Sequence, residues 1–228
     1  MSKKRRIIIS LGGSLVTPNI IDTAFVKQFK TFIDGYVKKG YQFGIVVGGG
    51  STARNYQVAA KKVTKLERDD LDWLGIHATR INAHYLRTIF KKNAYAHVVT
   101  NPTKKEGFTS PVIVASGWKP GWSTDYVAVE LAKTYGADII INLSNVDYLY
   151  SKDPKKYKNA KKIHDITWKD FQKIVGTKWI PGVNLPFDPV ASKLAKRLGI
   201  TVVIMNGKNI ANIKNFLKEK KFIGTMIQ

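Results

Sequence analysis

The chain has 228 residues, 44% of them hydrophobic, which is enough to form one sizeable core. It contains no cysteine, which excludes disulfides, zinc–thiolate sites and cysteine nucleophiles. Lysine and arginine number 38 against 16 aspartates and glutamates, a formal net charge of +22 that favours anionic ligands such as nucleotides or nucleic acid.

Hydropathy predicts a protein without a membrane-spanning segment. No apolar run reaches the roughly 18 residues that a membrane helix needs, and the basic start leads directly into a strand-like run. We therefore expect a cytoplasmic protein with no membrane partner. The four histidines show no metal-ligand spacing. The positive charge is spread along the chain, so we interpret it as solvated surface, with nucleic-acid binding as a less favoured alternative.

Strand patterns recur along the chain, and each of the first three leads into a loop and then a helical pattern. These three strands are predicted at residues 6–11, 43–47 and 111–116. Further buried strands are predicted at residues 137–143 and 200–205, with a weaker one at residues 95–100. A repeated strand, loop and helix is typical of a mainly parallel sheet with crossover helices, so we predict an α/β fold.

The loop after each of the first three strands contains glycine. The loops are residues 12–14, 48–50 and 117–123. The helices that follow are predicted to start near residues 22, 51 and 123, and the last two to end near Val63 and Tyr135. Ser51 or Thr52 is expected to cap the second helix, and Ser123 or Thr124 the third. Because ligands of open α/β sheets bind at the carboxyl ends of the strands, we expect the loops to converge on one cleft.

The glycine triplet at residues 48–50 is a candidate anion site. Glycines let a phosphate approach the backbone N–H groups, and the following helix directs the positive end of its dipole at that phosphate. Arg54, one turn into the helix, is placed to pair with the same anion. The triplet matches neither a P-loop nor a dinucleotide fingerprint, and a simple tight turn is the alternative.

Residues 72–83 are predicted to form a helix on which small and polar residues recur at intervals of three and four. These residues are Asp72, Gly75, Thr79, Asn82 and Ala83. A carboxylate, a hydroxyl and an amide on one stripe can bind a polar ligand such as a ribose. Helix packing through the small residues is the alternative that we prefer from the pattern alone.

Six segments occur in the order that is found in one protein family. They lie at residues 11–14, 46–54, 72–83, 117–125, 145–154 and 188–193. They include Leu-Gly-Gly-Ser at 11–14, Val-Val-Gly-Gly-Gly at 46–50, Ser-Thr-Asp at 123–125 and Asn-Val-Asp at 145–147. Over nearly its whole length the chain resembles the amino acid kinase superfamily, and within it the archaeal type of uridylate (UMP) kinase.

The resemblance implies a three-layer αβα sandwich, a single domain over residues 1–228 with two lobes. The amino-terminal lobe, residues 1–108, would bind UMP, and the carboxy-terminal lobe, residues 109–228, would bind ATP and the Mg²⁺ that it carries. The reaction would transfer a phosphoryl group from ATP to UMP, giving UDP and ADP in pyrimidine nucleotide biosynthesis. Relatives are commonly hexamers built from dimers, so we expect a homohexamer.

Matching positions in the resemblance imply a set of site residues. The UMP-binding set is Gly49, Gly50 and Arg54 for the phosphate, Asp72 for the ribose, and Thr124 at the lobe interface. The ATP-binding set is Gly13, Ser14, Ser144, Asn145, Tyr150, Asp153 and Pro154. The catalytic set is Gly12, Gly13, Asp147, Asp188 and Lys193, and no residue is assigned as a metal ligand. Asp188 before Pro189 equally fits a helix cap, and Lys193 equally fits a solvent-facing helix lysine.

Two positions depart from the family pattern. Many relatives carry a lysine two residues before the first glycine pair, where this chain has Ser10, and Lys193 and Lys119 are the candidates to replace that cation. Relatives usually have glycine where this chain has Tyr148, whose ring would reshape the nucleotide site. These departures leave two alternatives open: a nucleotide-binding sensor or storage protein with weakened catalysis, and another small-molecule kinase of the superfamily.

Overall fold

The computed structural model describes residues 5–106, 109–152, 157–176 and 185–228. The strands found in these ranges are β1 (Arg6–Leu11), β2 (Gln42–Val47), β3 (Val112–Ala115), β4 (Ile139–Ser144), β5 (Leu149–Tyr150), β6 (Lys162–Ile163), β7 (Asp165–Ile166), β8 (Thr201–Asn206) and β9 (Thr225–Ile227). Seven of them form one sheet in the order β3-β2-β1-β4-β8-β9-β7, and β5 pairs with β6 separately. Within the large sheet, β9 is antiparallel to β8, and the other pairs are parallel. The prediction of a mainly parallel α/β sheet is confirmed.

Helices connect the strands on both sides of the sheet. They are α1 (Gly13–Val16), α2 (Thr23–Val37), α3 (Gly50–Val63), α4 (Arg68–Ile89), α5 (Thr124–Tyr135), α6 (Trp168–Val175), α7 (Pro189–Leu198) and α8 (Ile210–Leu217). The carboxylate of Asp22 caps α2 by accepting the Phe25 N–H at 2.9 Å. At their other ends, α5 and α7 stop at Gly136 and Gly199, both with positive φ.

Two apolar cores lie on opposite faces of the sheet, because successive residues of a strand point to opposite faces. Ile7, Ile9 and Leu11 of β1 join one core with side chains of α2, α4 and α8. Ile8 joins the other core with side chains of α5, α6 and α7. The three-layer αβα sandwich that the family resemblance implies is therefore confirmed.

Two local predictions from the sequence are wrong. Neither Ser51 nor Thr52 caps α3, which begins one residue earlier with Gly49 at the cap position, because Gly50 enters the helix with a φ of +62°. The Ser51 hydroxyl instead donates to the Asn19 carbonyl at 2.9 Å. Residues 95–100 form no regular strand, because a bend at residues 96–97 separates the two isolated bridges that this part of the chain makes to β3.

The predicted lobes share the central sheet. β3, on the carboxy-terminal side of the predicted boundary, pairs with β2 on the amino-terminal side. The division at residues 108 and 109 into a UMP lobe and an ATP lobe stays a prediction. Within the described part of the chain, no helix has the length and apolar character needed to cross a membrane.

Candidate active site

The first two glycine loops lie against each other at the carboxyl edge of the parallel strands. They follow β1 and β2, which are paired neighbours, and the Gly48 N–H donates to the Leu11 carbonyl at 2.9 Å. A β-carbon at position 13 would overlap the backbone of Gly48 and Gly50. One at position 50 would overlap Thr17 and Gly13. Only glycine at both positions lets the two loops touch.

The glycine triplet offers unpaired backbone donors to a ligand. The N–H groups of Gly49 and Gly50 donate to no acceptor among the described residues. The carbonyls on the other side of the triplet are bound by α4, since Asn82 Nδ2 donates to the oxygens of Gly48 at 2.9 Å and Gly49 at 3.2 Å. Free N–H groups at the start of a helix form a site that attracts phosphate.

Arg54 lies one turn into α3 and is exposed. One of its guanidinium nitrogens, Nη2, lies 3.5 Å from the carbonyl of Pro18, two residues beyond the end of α1. A guanidinium has five N–H donors, so this long contact leaves most of them for an anion held at the triplet. The position agrees with the phosphate contact that the resemblance implies, which stays a prediction.

A polar stripe on α4 also binds the third glycine loop. The Thr79 hydroxyl accepts the Gly117 N–H at 2.7 Å, and Asp72 Oδ2 accepts the Gly121 N–H at 2.8 Å. The three polar residues of the predicted stripe, Asp72, Thr79 and Asn82, therefore contact the loops, and through them α4 fixes the second and third loops relative to each other. The loops thus converge on one edge of the sheet, as expected. Asp72 retains its second oxygen for a ligand, and its contact to a ribose stays a prediction.

The third loop carries a cluster of aromatic rings. The ring centroids of Trp118 and Trp122 lie 6.2 Å apart, and Trp122 lies 3.9 Å from Tyr126 on α5. Lys119 Nζ lies 4.3 Å from the Trp118 centroid. Lys119 is one of the two lysines that we considered as a replacement for the family's lysine at position 10. Its ammonium group is engaged in a cation–π contact with Trp118.

Asp125, in the first turn of α5, links the end of β1 to the start of α7. Its Oδ1 accepts the Ser10 hydroxyl at 2.9 Å, and its Oδ2 accepts the backbone N–H of Asp188 at 3.2 Å. The pKa of Asp125 is raised to about 6, chiefly by burial and also by the nearby Asp188 carboxylate, whereas the hydrogen bonds from Ser10 and from the Asp188 backbone oppose the increase. A carboxylate with a raised pKa at the end of parallel strands is a functional-site candidate.

Asp188 caps α7. Its carboxylate accepts the N–H groups of Val190 and Ala191, the latter at 3.0 Å, and Pro189 occupies the first helical turn. Asn142, the partner of Ser10 across the β1–β4 pair, donates to the Pro186 carbonyl at 3.0 Å. The chain just before Asp188 is thereby tied to the sheet. The alternative interpretation of Asp188 as a helix cap is confirmed, and its catalytic assignment stays a prediction.

The residues that the resemblance assigns to ATP follow β4. This strand lies beside the first glycine loop, because the Gly12 N–H donates to the Leu143 carbonyl at 2.8 Å. Ser144 ends β4, Asn145 and Asp147 are exposed in the next loop, Tyr150 lies in β5, and Ser14 lies in α1. Asp153 and Pro154 lie outside the described residues.

The sequence also singled out Tyr148, Thr124 and Lys193, which the structure places as follows. The Tyr148 ring packs edge-to-face on His164, with centroids 4.9 Å apart, and Lys162 Nζ lies 5.3 Å from its centroid. Thr124 is the first residue of α5. Ser123 caps this helix, because its hydroxyl oxygen accepts the Tyr126 N–H at 3.1 Å. Lys193 is exposed on α7. Among the described residues, no group of three or more His, Cys, Asp or Glu side chains is placed to hold a metal ion.

Comparison with known proteins assigns the family. A model of the amino acid kinase family matches residues 5–206. The chain belongs to this family. A uridylate kinase from Methanospirillum hungatei is 38% identical to this chain over 226 residues, which cover 97% of this chain and 94% of that protein. A uridylate kinase from Pyrococcus abyssi is 34% identical over 218 residues, covering 94% and 96%.

Solved structures resemble this chain over nearly its whole length. The crystal structure of uridylate kinase from Archaeoglobus fulgidus has a TM-score of 0.84 at 31% identity, covering 97% of this chain and 99% of that one. A UMP kinase from Bacillus anthracis, at 21% identity and a TM-score of 0.79, shares the fold. The recognition of the family from six motifs is confirmed.

The motif assignments gave no role to Asp125, which the structure places between Ser10 and the start of α7. This aspartate lies in the Ser-Thr-Asp segment, but only Thr124 was assigned a role there. Strand alternation carries the signal: Ser10 shares a face of β1 with Ile8, and that face packs against α5. A carboxylate in the first turn of α5 is therefore directed toward the end of β1.

Proposed function

We propose that this member of the amino acid kinase family is a UMP kinase, which transfers the terminal phosphoryl group of ATP to UMP and releases UDP and ADP. The observation that carries the proposal is its similarity to uridylate kinases over nearly the whole chain, at 31% to 38% identity. The relatives and structures cited above support neither another small-molecule kinase nor a sensor. The glycine loops and their free donors fit the proposed reaction.

The acceptor UMP binds between the second and third loops. The free N–H groups of Gly49 and Gly50 hold its phosphate together with the Arg54 guanidinium. Asp72, whose second oxygen stays available, accepts hydrogen bonds from the ribose hydroxyls. Thr124, at the start of α5, faces the same edge of the sheet. These roles agree with the positions of Gly49, Gly50 and Arg54 after β2, of Thr124 after β3, and of Asp72 on α4 against the loop that follows β3.

The donor ATP binds along the loops that follow β1 and β4. Ser144, Asn145, Asp147 and Tyr150 line this side, next to the first glycine loop. We expect Mg²⁺ to arrive with the ATP phosphates, because this ion is usually held by substrate phosphates and one or two carboxylates. Asp147 is the exposed carboxylate on this side. When bound, the ion would neutralise charge on the donor phosphates, and Asp147 would help to hold it there.

Transfer of the phosphoryl group needs positioning and charge stabilisation more than covalent chemistry. The touching loops of Gly12–Gly13 and of the triplet bring donor and acceptor phosphates to adjacent strand ends. Ser10 supplies no positive charge there, and Lys193 on α7 is the cation that we assign to the transferring group. Asp125 holds the start of α7 against β1 and so fixes where that helix begins.

A coupled assay of ADP release over a panel of acceptors tests the function. With ATP and Mg²⁺, we expect turnover with UMP, and much lower kcat/KM with CMP and AMP. Carbamate, acetylglutamate and isopentenyl phosphate should give no ADP above the background of ATP hydrolysis. Preference for any of these other acceptors would assign a different kinase, and measurable UMP binding without turnover would assign a sensor.

A further inference from the structure

We infer that Asn82 is a positioning residue that orients the phosphate-binding N–H groups of the glycine triplet, an inference that rests on the proposed UMP site. Asn82 is 4% exposed and lies on α4. Its side-chain amide contacts two successive carbonyls of the triplet, 2.9 Å from the Gly48 oxygen and 3.2 Å from the Gly49 oxygen. Carbonyl oxygens only accept hydrogen bonds, so the group that faces them is the NH₂ of Asn82.

Because the peptide bond is planar, these two contacts fix the direction of the N–H groups that follow each carbonyl. The described backbone contains no cis peptide, so each carbonyl and the N–H of the next residue point in opposite directions. Holding the Gly48 and Gly49 oxygens toward α4 therefore turns the N–H groups of Gly49 and Gly50 away from α4. Those are the two N–H groups that find no acceptor among the described residues.

Glycine makes such a clamp necessary. Glycine populates more backbone conformations than any other residue, so a run of three has little preference for one orientation of its peptide planes. The following helix fixes Gly50, and the Gly48 N–H is fixed by Leu11. Asn82 holds the Gly48 carbonyl, and it shares the Gly49 carbonyl with the Ala53 N–H of α3, which lies 3.3 Å from that oxygen. Without the NH₂ of Asn82, the Gly48 carbonyl is free to rotate toward the phosphate, where it would repel the anion.

The sequence offers two informative substitutions at this position and a matched control. Asn82→Asp keeps the shape of the side chain but replaces both donors with oxygen, and Asn82→Leu removes them without adding charge. Asn212 is the control because it is also buried and also clamps backbone, donating to and accepting from Ile223 far from the triplet. Asn212→Leu therefore reports the cost of losing a buried amide as such.

The readout is the affinity for UMP relative to that for uridine, which lacks the phosphate. Titration calorimetry or competitive inhibition measures both ligands at a temperature where circular dichroism shows each variant folded. We expect both Asn82 variants to bind UMP at least about tenfold more weakly, the loss of hydrogen bonds to a charged group, while uridine affinity changes less than about twofold. Asn212→Leu should lower the melting temperature but leave the ratio unchanged.

Two outcomes would overturn the inference. One is an unchanged ratio of UMP to uridine affinity in both Asn82 variants, and the other is an equal loss for both ligands, which a merely structural role would produce. Turnover of UMP by the wild-type protein reports separately on the proposed function. If that turnover is absent, inorganic phosphate replaces UMP as the probe, and the clamp still requires both Asn82 variants to bind it more weakly than the wild type.

Discussion

The Ser10 hydroxyl donates to Asp125 at the position where the family pattern carries a lysine. A lysine there would place a cation beside the carboxylate and lower its pKa, whereas serine offers only one hydrogen bond. Burial and the neighbouring Asp188 then raise the pKa of Asp125 to about 6. Serine in place of lysine at position 10 thus changes the charge at the end of β1. It also removes a cation that would contact the phosphates.

Substitution of Ser10 by alanine should shift the pH dependence of the reaction. We expect ionised Asp125 to be the active form, so kcat/KM should fall as the pH drops through about 6. Removing the hydroxyl removes a donor to the charged form, which raises the pKa and moves this fall to higher pH. Profiles of kcat/KM from pH 5 to 9 for the wild type and Ser10→Ala measure the shift.

Asp125→Asn is the control for this profile, because it removes the titrating group. Its residual activity should lose the contribution of Asp125 to the acid limb and retain only the titration of the UMP phosphate, whose second pKa is about 6. If Ser10→Ala and the wild type had superimposable profiles, or if the limb moved to lower pH, the Ser10 hydrogen bond would not tune the carboxylate.

Arg54 and Asp147 should affect different kinetic constants. Arg54→Ala removes a contact to the phosphate of UMP, so KM for UMP should rise about tenfold or more with a smaller change in kcat. Asp147→Asn removes a carboxylate from the donor side, so kcat should fall with little change in KM for UMP. Steady-state kinetics at saturating ATP separate the two effects. If neither substitution altered either constant, both assignments would be incorrect.

At the scale of elements, Asp188 at the start of α7 has two assigned roles, as a helix cap and as a catalytic carboxylate. Asp188 caps the helix through its carboxylate, and its own N–H binds Asp125. A cap is a contribution to stability, whereas an organising carboxylate is a contribution to the rate. The two roles depend on different properties of the side chain, since a cap needs an acceptor oxygen and the catalytic role needs the negative charge.

Asp188→Asn and Asp188→Ala separate these roles. Asparagine caps about as well as aspartate, so Asp188→Asn should keep the melting temperature and lower kcat if the charge is needed. Asp188→Ala should lose both activity and about 1 kcal/mol of the free energy of unfolding. Asn209→Ala, which removes the cap of α8 away from the site, should lose stability alone. Full activity of a stable Asp188→Asn protein would leave Asp188 as a helix cap only.

Element boundaries were predictable where local chemistry decides them. The end of α3 at Val63 and the extent of α5 follow from periodicity and from the glycine after Tyr135. The start of α3 was not predictable from local sequence, because the left-handed conformation of Gly50 depends on its contact with Gly13 from the neighbouring loop. The bend at residues 96–97 likewise depends on how the chain meets the edge of β3.

At the scale of the whole molecule, the order of strand, loop and helix predicts both the sheet and the edge at which the site lies. β1 and β2 are neighbours in the sheet, so their loops had to meet. The link between Ser10, Asp125 and Asp188 was not predictable from motifs alone, because the three residues come together only when α5 and α7 pack on one face of the sheet.

Transfer of labelled phosphate from ATP to UMP tests the central claim most directly. The protein is incubated with UMP, Mg²⁺ and ATP that carries ³²P in its terminal phosphate, and the nucleotides are separated by chromatography. If the protein is a UMP kinase, the label moves from ATP into UDP. No label is transferred when uridine replaces UMP, and the Arg54→Ala variant transfers it more slowly at low UMP concentration. Label that stays in ATP, or that appears only as inorganic phosphate, would contradict the proposed function.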